Sequence, residues 1–274
     1  MQQTGNIAFI GGGNMARSLI GGLIARGTPA ARIRVAEPVE TLRESLARDF
    51  GVATYATALE ATEDADLWLL AVKPQVMQTV CTALAEQARA HGALVVSIAA
   101  GITAAQMQRW LGEGTAVIRA MPNTPALLGA GVTGLFATPQ VDAAGRERTE
   151  ALLASAGRTV WIDEEEKMDA VTAVSGSGPA YIFLLAEAME AAAKQEGLGN
   201  ETARTLVLQT ILGAARMLTE SDEAPEELRK RVTSPNGTTQ AAIETFQAGG
   251  FEKLVGKAIH AARERGRELS AAND

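Results

Sequence analysis

The residues best placed to do chemistry lie at the start of the chain. Ile7-Ala8-Phe9-Ile10 is an apolar run of strand length, and Gly11-Gly12-Gly13-Asn14-Met15-Ala16 follows at once. Gly11, Gly13 and Ala16 form G-x-G-x-x-A at the passage from strand to helix. In a dinucleotide site the first glycine makes the turn and the second lets the backbone approach a pyrophosphate. The small third residue packs helix on strand. The first N–H groups of the helix, with Asn14 and Met15 in its opening turn, then face the phosphates. The bland alternative is an ordinary glycine turn.

Glu37 lies 21 positions after Ala16, where an acid bonds the adenosine ribose 2′-hydroxyl of NAD and repels the 2′-phosphate of NADP. Arg17, Arg34 and Arg43 are nearby cations, and a solvated surface glutamate is the competing reading. Three further loops follow apolar strands. They are Ala71-Val72-Lys73-Pro74, Ala99-Ala100-Gly101 and Met121-Pro122-Asn123-Thr124-Pro125. Lys73 is either a cation near the cofactor or a surface lysine. Ligands of doubly wound sheets sit outside the carboxyl ends of the strands, so these loops are predicted to share one rim.

Two loops in the second half are rich in small polar residues, Ser175-Gly176-Ser177-Gly178-Pro179 and Ser234-Pro235-Asn236-Gly237-Thr238-Thr239. Each is expected to put hydroxyls and free N–H groups at a helix N-terminus, which suits a carboxylate; two plainly capped helices are the alternative. No nucleophile elbow and no Cys/His arrangement occurs. No His and acid pair has metal-ligand spacing, so no metal is expected. Hydride transfer from a reduced nicotinamide fits a chain with so little side-chain chemistry.

The elements that must position these loops follow from periodicity. Strands are predicted at Ile33–Ala36, near Val52, and at 66–72, 94–98, 116–120, 132–136 and 159–162. Helices fall between most of them, with Thr103 as an N-cap. Continuous apolar strands alternating with helices predict an α/β fold with a parallel sheet covered on both faces. After Asp163 no convincing strand follows. Helices are predicted from Pro179 to Gln195, Asn200 to about Thr219, Glu226 to Arg231, Thr239 to Ala248 and Phe251 to Leu269. The expected organisation is a Rossmann-type dinucleotide-binding domain at 1–163 and an all-α substrate-binding and dimerisation domain at 164–274. The helix from Pro179 is apolar on nearly every face, so it is either a buried central helix or a subunit interface.

Composition bounds the partners. The 274 residues carry a net charge of −7, with no basic run, which argues against nucleic acid. The single Cys81 cannot form an intrachain disulfide and suits the cytoplasm. The first residues show no basic leader, and the apolar run after them is too short to span a membrane.

Taken together, these segments resemble pyrroline-5-carboxylate reductase, the last enzyme of proline synthesis, along essentially the whole chain. The carriers are Phe9–Met15, Ala71–Pro74, Val96–Gly101, Arg119–Pro125, Val174–Tyr181 and Val232–Thr239. The last is the family's own signature. The resemblance implies NADPH or NADH as cofactor and hydride transfer to C5 of 1-pyrroline-5-carboxylate. It implies that Thr239 hydrogen-bonds the imine nitrogen. The ring carboxylate would rest on Ser234, Gly237 and Thr238, aided by Ser175, Gly176 and Ser177. It also implies that Gly11, Gly13, Asn14, Met15, Glu37, Ala71, Val72, Lys73, Pro74, Ala99, Ala100, Gly101 and Asn123 hold the cofactor. It further implies dimers built through the C-terminal helices, which in the family assemble into decamers. Two departures stand out. An acid at Glu37 replaces the family's usual small hydroxyl or basic residue, and Ala58 replaces an asparagine that touches the adenosine. Rival readings are a reductase of another cyclic imine, a β-hydroxyacid-type dehydrogenase and a non-catalytic dinucleotide-binding sensor. Lys194, at the far end of its helix, is poorly placed for the dehydrogenase.

Overall fold

A computed structural model describes residues 5–272. Eight strands form one sheet: β1 Ile7–Ile10, β2 Ile33–Ala36, β3 Ala53–Tyr55, β4 Leu67–Leu70, β5 Leu94–Ser97, β6 Ala116–Met121, β7 Gly131–Ala137 and β8 Gly157–Trp161. Their order is β3-β2-β1-β4-β5-β6-β7-β8. The helices between them are α1 Asn14–Ala25, α2 Glu40–Phe50, α3 Ala58–Thr62, α4 Pro74–His91, α5 Ala104–Leu111 and α6 Ala143–Leu153.

Side chains alternate across the sheet because successive Cβ atoms point to opposite faces. In β1, Phe9 joins a core with Leu19, Ile20, Leu69, Val96 and Ile118. Its neighbours Ala8 and Ile10 join Trp68, Leu70, Met77, Leu84 and Met107 on the other face. Both faces are thus covered, as the unbroken apolar strands predict. Strands β1 to β6 are parallel, and Ile10 is in register with both Ala36 and Leu70. Their carboxyl ends therefore share one edge.

The sheet departs from the all-parallel expectation at one place, since β7 runs antiparallel to β6. Only the short turn Thr124–Leu128 lies between them. A parallel return needs a crossover of a dozen or more residues, so the chain reverses instead. The 19 residues from Thr138 to Ala156 that precede β8 include α6, and β8 is parallel to β7.

After β8 come α7 Met168–Val171, a π turn at Thr172–Gly176, and then α8 Gly178–Gln195, α9 Asn200–Glu220, α10 Pro225–Arg231, α11 Thr238–Ala248 and α12 Phe251–Ala272. Gly199 is the N-cap of α9. The chain divides into two compact units. One runs up to Ser177 and takes in the end of the chain from Ala261; the other is Gly178–His260. The break between these two units falls after Ser177. The reason is local: α7 packs on the sheet so closely that a Cβ on Gly134 of β7 would meet Val171 Cγ1 at 2.5 Å. The end of α12 is tied to the same unit by Gln106 Nε2, which donates to the Ser270 carbonyl at 3.1 Å.

In the second unit α8 contains no buried residue, and Phe183 and Leu184 are 61% and 66% exposed. The buried-core reading of α8 fails. Too few neighbours lie within one chain to cover all its faces, which leaves the interface reading. An apolar groove of about 940 Å³, lined among others by Leu185, Met189, Val207, Ile243 and Phe246, lies in the same unit. Among the described residues no helix is long and apolar enough to cross a membrane.

Candidate active site

The first loop is shaped by what its glycines can approach. Gly11 has φ of +104°, and a Cβ there would lie 2.6 Å from the Ala71 carbonyl oxygen. The turn after β1 is thus pressed against the turn after β4, at the point where the strand order reverses. That is where ligands of such sheets bind. The contact is fixed by the Ala71 N–H donating to the Ile10 carbonyl at 2.8 Å. Gly13 differs. It has no atom within 4 Å of a Cβ position, and it is the N-cap of α1 with no side chain capping the helix. Open space in front of uncapped N–H groups, including those of Asn14 and Met15, suits a pyrophosphate. Ala16 is fully buried against the sheet.

Glu37 is the main surprise of this rim. It is only 7% exposed, so it is not a solvated surface acid. Its Oε2 accepts from the Gly12 N–H at 3.0 Å, and its Oε1 accepts from the Val39 N–H at 3.0 Å. The carboxylate braces the glycine turn from below the end of β2. Of the three cations near it, Arg17 pairs with Asp49 and donates to Ser45 at 3.2 Å, and it stacks on Phe50. Arg34 donates to the carbonyls of Ala61 and Glu60 and lies over the Tyr55 ring. Arg43 Nη1 donates to the carbonyls of Glu37 and Pro38 at 2.9 and 2.8 Å, which holds that guanidinium at the loop itself.

The other rim loops fall where the topology requires. Lys73 is exposed and is the N-cap of α4, with Pro74 as the first helical residue, a position where its missing N–H costs nothing. Ala71 and Val72 are half-buried beside Gly11. After β5, Ala99 is buried, Ala100 is exposed, and Gly101 has φ of +72°. Thr103 caps α5 in a capping box with Gln106, as predicted.

Asn123 follows the carboxyl end of β6. Its Nδ2 donates to the Ser175 carbonyl at 3.1 Å, and its Oδ1 accepts from the Val132 N–H at 3.0 Å. Both ends of the amide serve the protein's own backbone. Four residues earlier, buried Arg119 reaches Glu165 Oε1 at 3.3 Å and Asp169 Oδ1 at 3.5 Å. Glu165 Oε1 also accepts from the Ala104 N–H at 2.6 Å. The sequence offered no signal for the distant contacts in either set, because partners 46 to 61 residues apart are joined only by the fold.

Ser175–Ser177 is not the open helix start that was expected. The segment is a π turn continuing α7, with the Ser177 N–H donating to the Thr172 carbonyl at 2.8 Å. The Ser175 hydroxyl donates to the Val171 carbonyl at 2.8 Å. The N–H of Ser177 is thus spent inside the helix, and what the segment offers is an irregular turn, a feature common at functional sites.

The second polar loop does match expectation. The Gly237 N–H donates to the Ser234 carbonyl at 3.0 Å, and Asn236 takes φ of +59° to make the turn. Gly237 is the N-cap of α11 with no side-chain cap, so Thr238 and Thr239 stand in an uncapped first turn. Thr239 is half-buried, and Ser234 and Thr238 are exposed. Among the described residues no group of three or more His, Cys, Asp or Glu side chains is arranged to hold a metal ion. Burial pushes the Cys81 thiol up to about 12, the property of an inert core residue rather than a nucleophile.

Comparison with known proteins agrees with this geometry. Residues 165–269 match the pyrroline-5-carboxylate reductase dimerisation family, and residues 6–101 match the family described as NADP oxidoreductase, coenzyme F420-dependent. A pyrroline-5-carboxylate reductase of Pseudomonas aeruginosa is 54% identical over 97% of this chain and 97% of its own. The solved structure of one from Coxiella burnetii is 42% identical, with a TM-score of 0.95 over 98% of this chain and 99% of that one. A Plasmodium falciparum pyrroline carboxylate reductase, solved with NADP bound, is 25% identical, with a TM-score of 0.85 over 98% of this chain and 100% of that one. With both the dinucleotide-binding sheet and the helical segment matched end to end, the chain belongs to the pyrroline-5-carboxylate reductase family.

Proposed function

We infer that this chain reduces 1-pyrroline-5-carboxylate to L-proline with NADPH or NADH, the closing step of proline synthesis. The observation that carries the reading is 54% identity to a pyrroline-5-carboxylate reductase across 97% of the chain. The rim around Gly11, Gly13 and the start of α1 fits a dinucleotide pyrophosphate, with Ala71–Pro74 and Ala99–Gly101 flanking it. When bound, the reduced nicotinamide supplies the hydride that ends on C5 of the imine, and the nitrogen takes its proton from solvent.

The chain's own residues have two tasks. Thr239 donates its hydroxyl proton in a hydrogen bond to the imine nitrogen, which draws electron density from C5 and makes it the better hydride acceptor. The uncapped first turn of α11, with Ser234, Gly237 and Thr238, takes the ring carboxylate on N–H groups and a hydroxyl. Ser175, Gly176 and Ser177 contribute from the π turn. Orientation of the two reacting carbons supplies most of the rate, which is why so few titratable groups are needed.

Coenzyme preference turns on Glu37. Its buried charge stands at the end of β2, and Arg17 and Arg34 are committed to other partners. Arg43 is the remaining cation for a 2′-phosphate. We propose that Glu37 tilts the site towards NADH. Self-association uses the exposed apolar faces of the helical unit, and decamers built from such dimers are the proposed assembly. The lone buried thiol of Cys81 suits the cytosol. Adding racemic pyrroline-5-carboxylate to the protein with NADPH or NADH is expected to bleach the nicotinamide absorbance. No turnover with either coenzyme would remove the assignment.

A further inference from the structure

Three features meet at the turn between α7 and α8. An α-helix would satisfy the Ser175 carbonyl with the N–H of residue 179, but residue 179 is proline and has none. The helix opens into a π turn at that point, Thr172–Gly176, rather than continuing as α. The Ser175 carbonyl is met from outside the helix, by Asn123 Nδ2 at 3.1 Å. The same amide accepts the Val132 N–H at 3.0 Å, which anchors it to the start of β7.

The rest of the segment after β6 follows the same contour. Met121 lies against the turn so closely that a Cβ on Gly176 would meet Met121 Cε at 2.7 Å. Arg119 holds the beginning of the same helical segment through Glu165 and Asp169. Alternate residues of one strand and its extension thus reach the helical segment, Arg119 at Glu165 and Asp169, Met121 at Gly176 and Asn123 at Ser175.

We propose that Asn123 is a positioning residue, which holds the π turn so that Ser175–Ser177 face the substrate, and that it does not act on the cofactor. Pro179 makes this necessary, since it removes the N–H that would otherwise let the turn relax into a regular helix. The proposal rests on the reading that Ser175–Ser177 serve the imine carboxylate, and the experiment separates the two.

Three variants are compared in the full-length protein: Asn123→Asp, Asn123→Ala, and Asn123→Ala combined with Pro179→Ala. Asn123→Asp keeps the acceptor for Val132 and turns the donor to Ser175 into an oxygen that faces the carbonyl. Both single variants are expected to raise KM for pyrroline-5-carboxylate roughly 10- to 100-fold. Coenzyme affinity, read by fluorescence titration, is expected to stay unchanged. Amide exchange across residues 172–178, followed by mass spectrometry, is expected to speed up roughly tenfold or more. The double variant regains an N–H four residues after Ser175. Its Tm is expected to recover in part, since the Val132 N–H stays unpaired, while its KM stays raised, because the satisfied helix no longer carries the π offset. Unchanged exchange in the single variants overturns the fastening itself. Faster exchange with an unchanged KM overturns the substrate reading of Ser175–Ser177, and the proposal with it. A double variant whose KM recovers along with Tm reduces Asn123 to a structural amide, and a coenzyme affinity that weakens as much as KM places its action at the cofactor; either result overturns the proposal.

Discussion

The Glu37 carboxylate holds the backbone of Gly12. Oε2 takes the Gly12 N–H at 3.0 Å while Oε1 takes that of Val39, and the side chain is almost wholly buried. A residue read from spacing as a ribose ligand is thus also the brace under the glycine turn. Glu37→Ser removes the charge and both acceptors. It is expected to raise the ratio of kcat/KM for NADPH over NADH at least about tenfold, since a charge close to a phosphate in a partly dry site is worth more than about 1.4 kcal/mol. Two orphaned N–H groups are expected to cost about 1–3 kcal/mol each in urea unfolding. An unchanged coenzyme ratio with lowered stability would leave Glu37 as a brace alone.

Gly11 and Gly13 differ in what they tolerate. Gly11→Ala forces a side chain into φ of +104° and onto the Ala71 carbonyl. It is expected to destabilise the fold by at least about 1–2 kcal/mol and to weaken coenzyme binding. Gly13→Ala meets nothing and has ordinary backbone angles. It is expected to cost less than about 1 kcal/mol of stability and still to weaken coenzyme binding strongly, because the methyl group fills the space meant for the pyrophosphate. Equal coenzyme affinity in Gly13→Ala and the parent would displace the cofactor from this turn.

Arg119 is 4% exposed and faces two carboxylates. Arg119→Met leaves Glu165 and Asp169 without their cation in a largely dry place. The expected loss is about 3–5 kcal/mol, the range for removing one partner of a buried pair. Because Asp169 Oδ1 would lie 3.3 Å from a Cβ on Gly266, the loosening is expected to reach the end of α12. Faster amide exchange at residues 262–272 checks this, and parental exchange there would contradict it.

Thr239→Val keeps the shape and loses the hydroxyl. It is expected to lower kcat on the order of 10²-fold, as for loss of one preorganised donor at a developing charge. Coenzyme affinity should stay at the parental value. Full activity of Thr239→Val would end the proposed role.

Phe183 and Leu184 lie open on α8 in the single chain. Replacing Phe183 by Glu is expected to convert the assembly to monomers in sedimentation, since a charge cannot be buried unpaired in an apolar interface. Unchanged sedimentation would move the interface elsewhere on the helical unit.

Much of this protein was legible in its residue order because the relevant signals are local. The strand and glycine run at Ile7–Ala16, the strand after each turn, the Thr103 cap and the uncapped start of α11 depend on neighbours a few positions apart. Backbone sterics and helix-end hydrogen bonding decide such features within one turn of chain. The tertiary structure alone decided what long-range contact decides. It reversed β7, because nine residues cannot make a crossover. It buried Glu37 beneath Gly12, turned Asn123 inward to Ser175, and converted the expected loop at Ser175–Ser177 into a π turn. Each of these joins groups 25 to 52 residues apart or depends on the surface the segment packs against, and no spacing rule reaches that far.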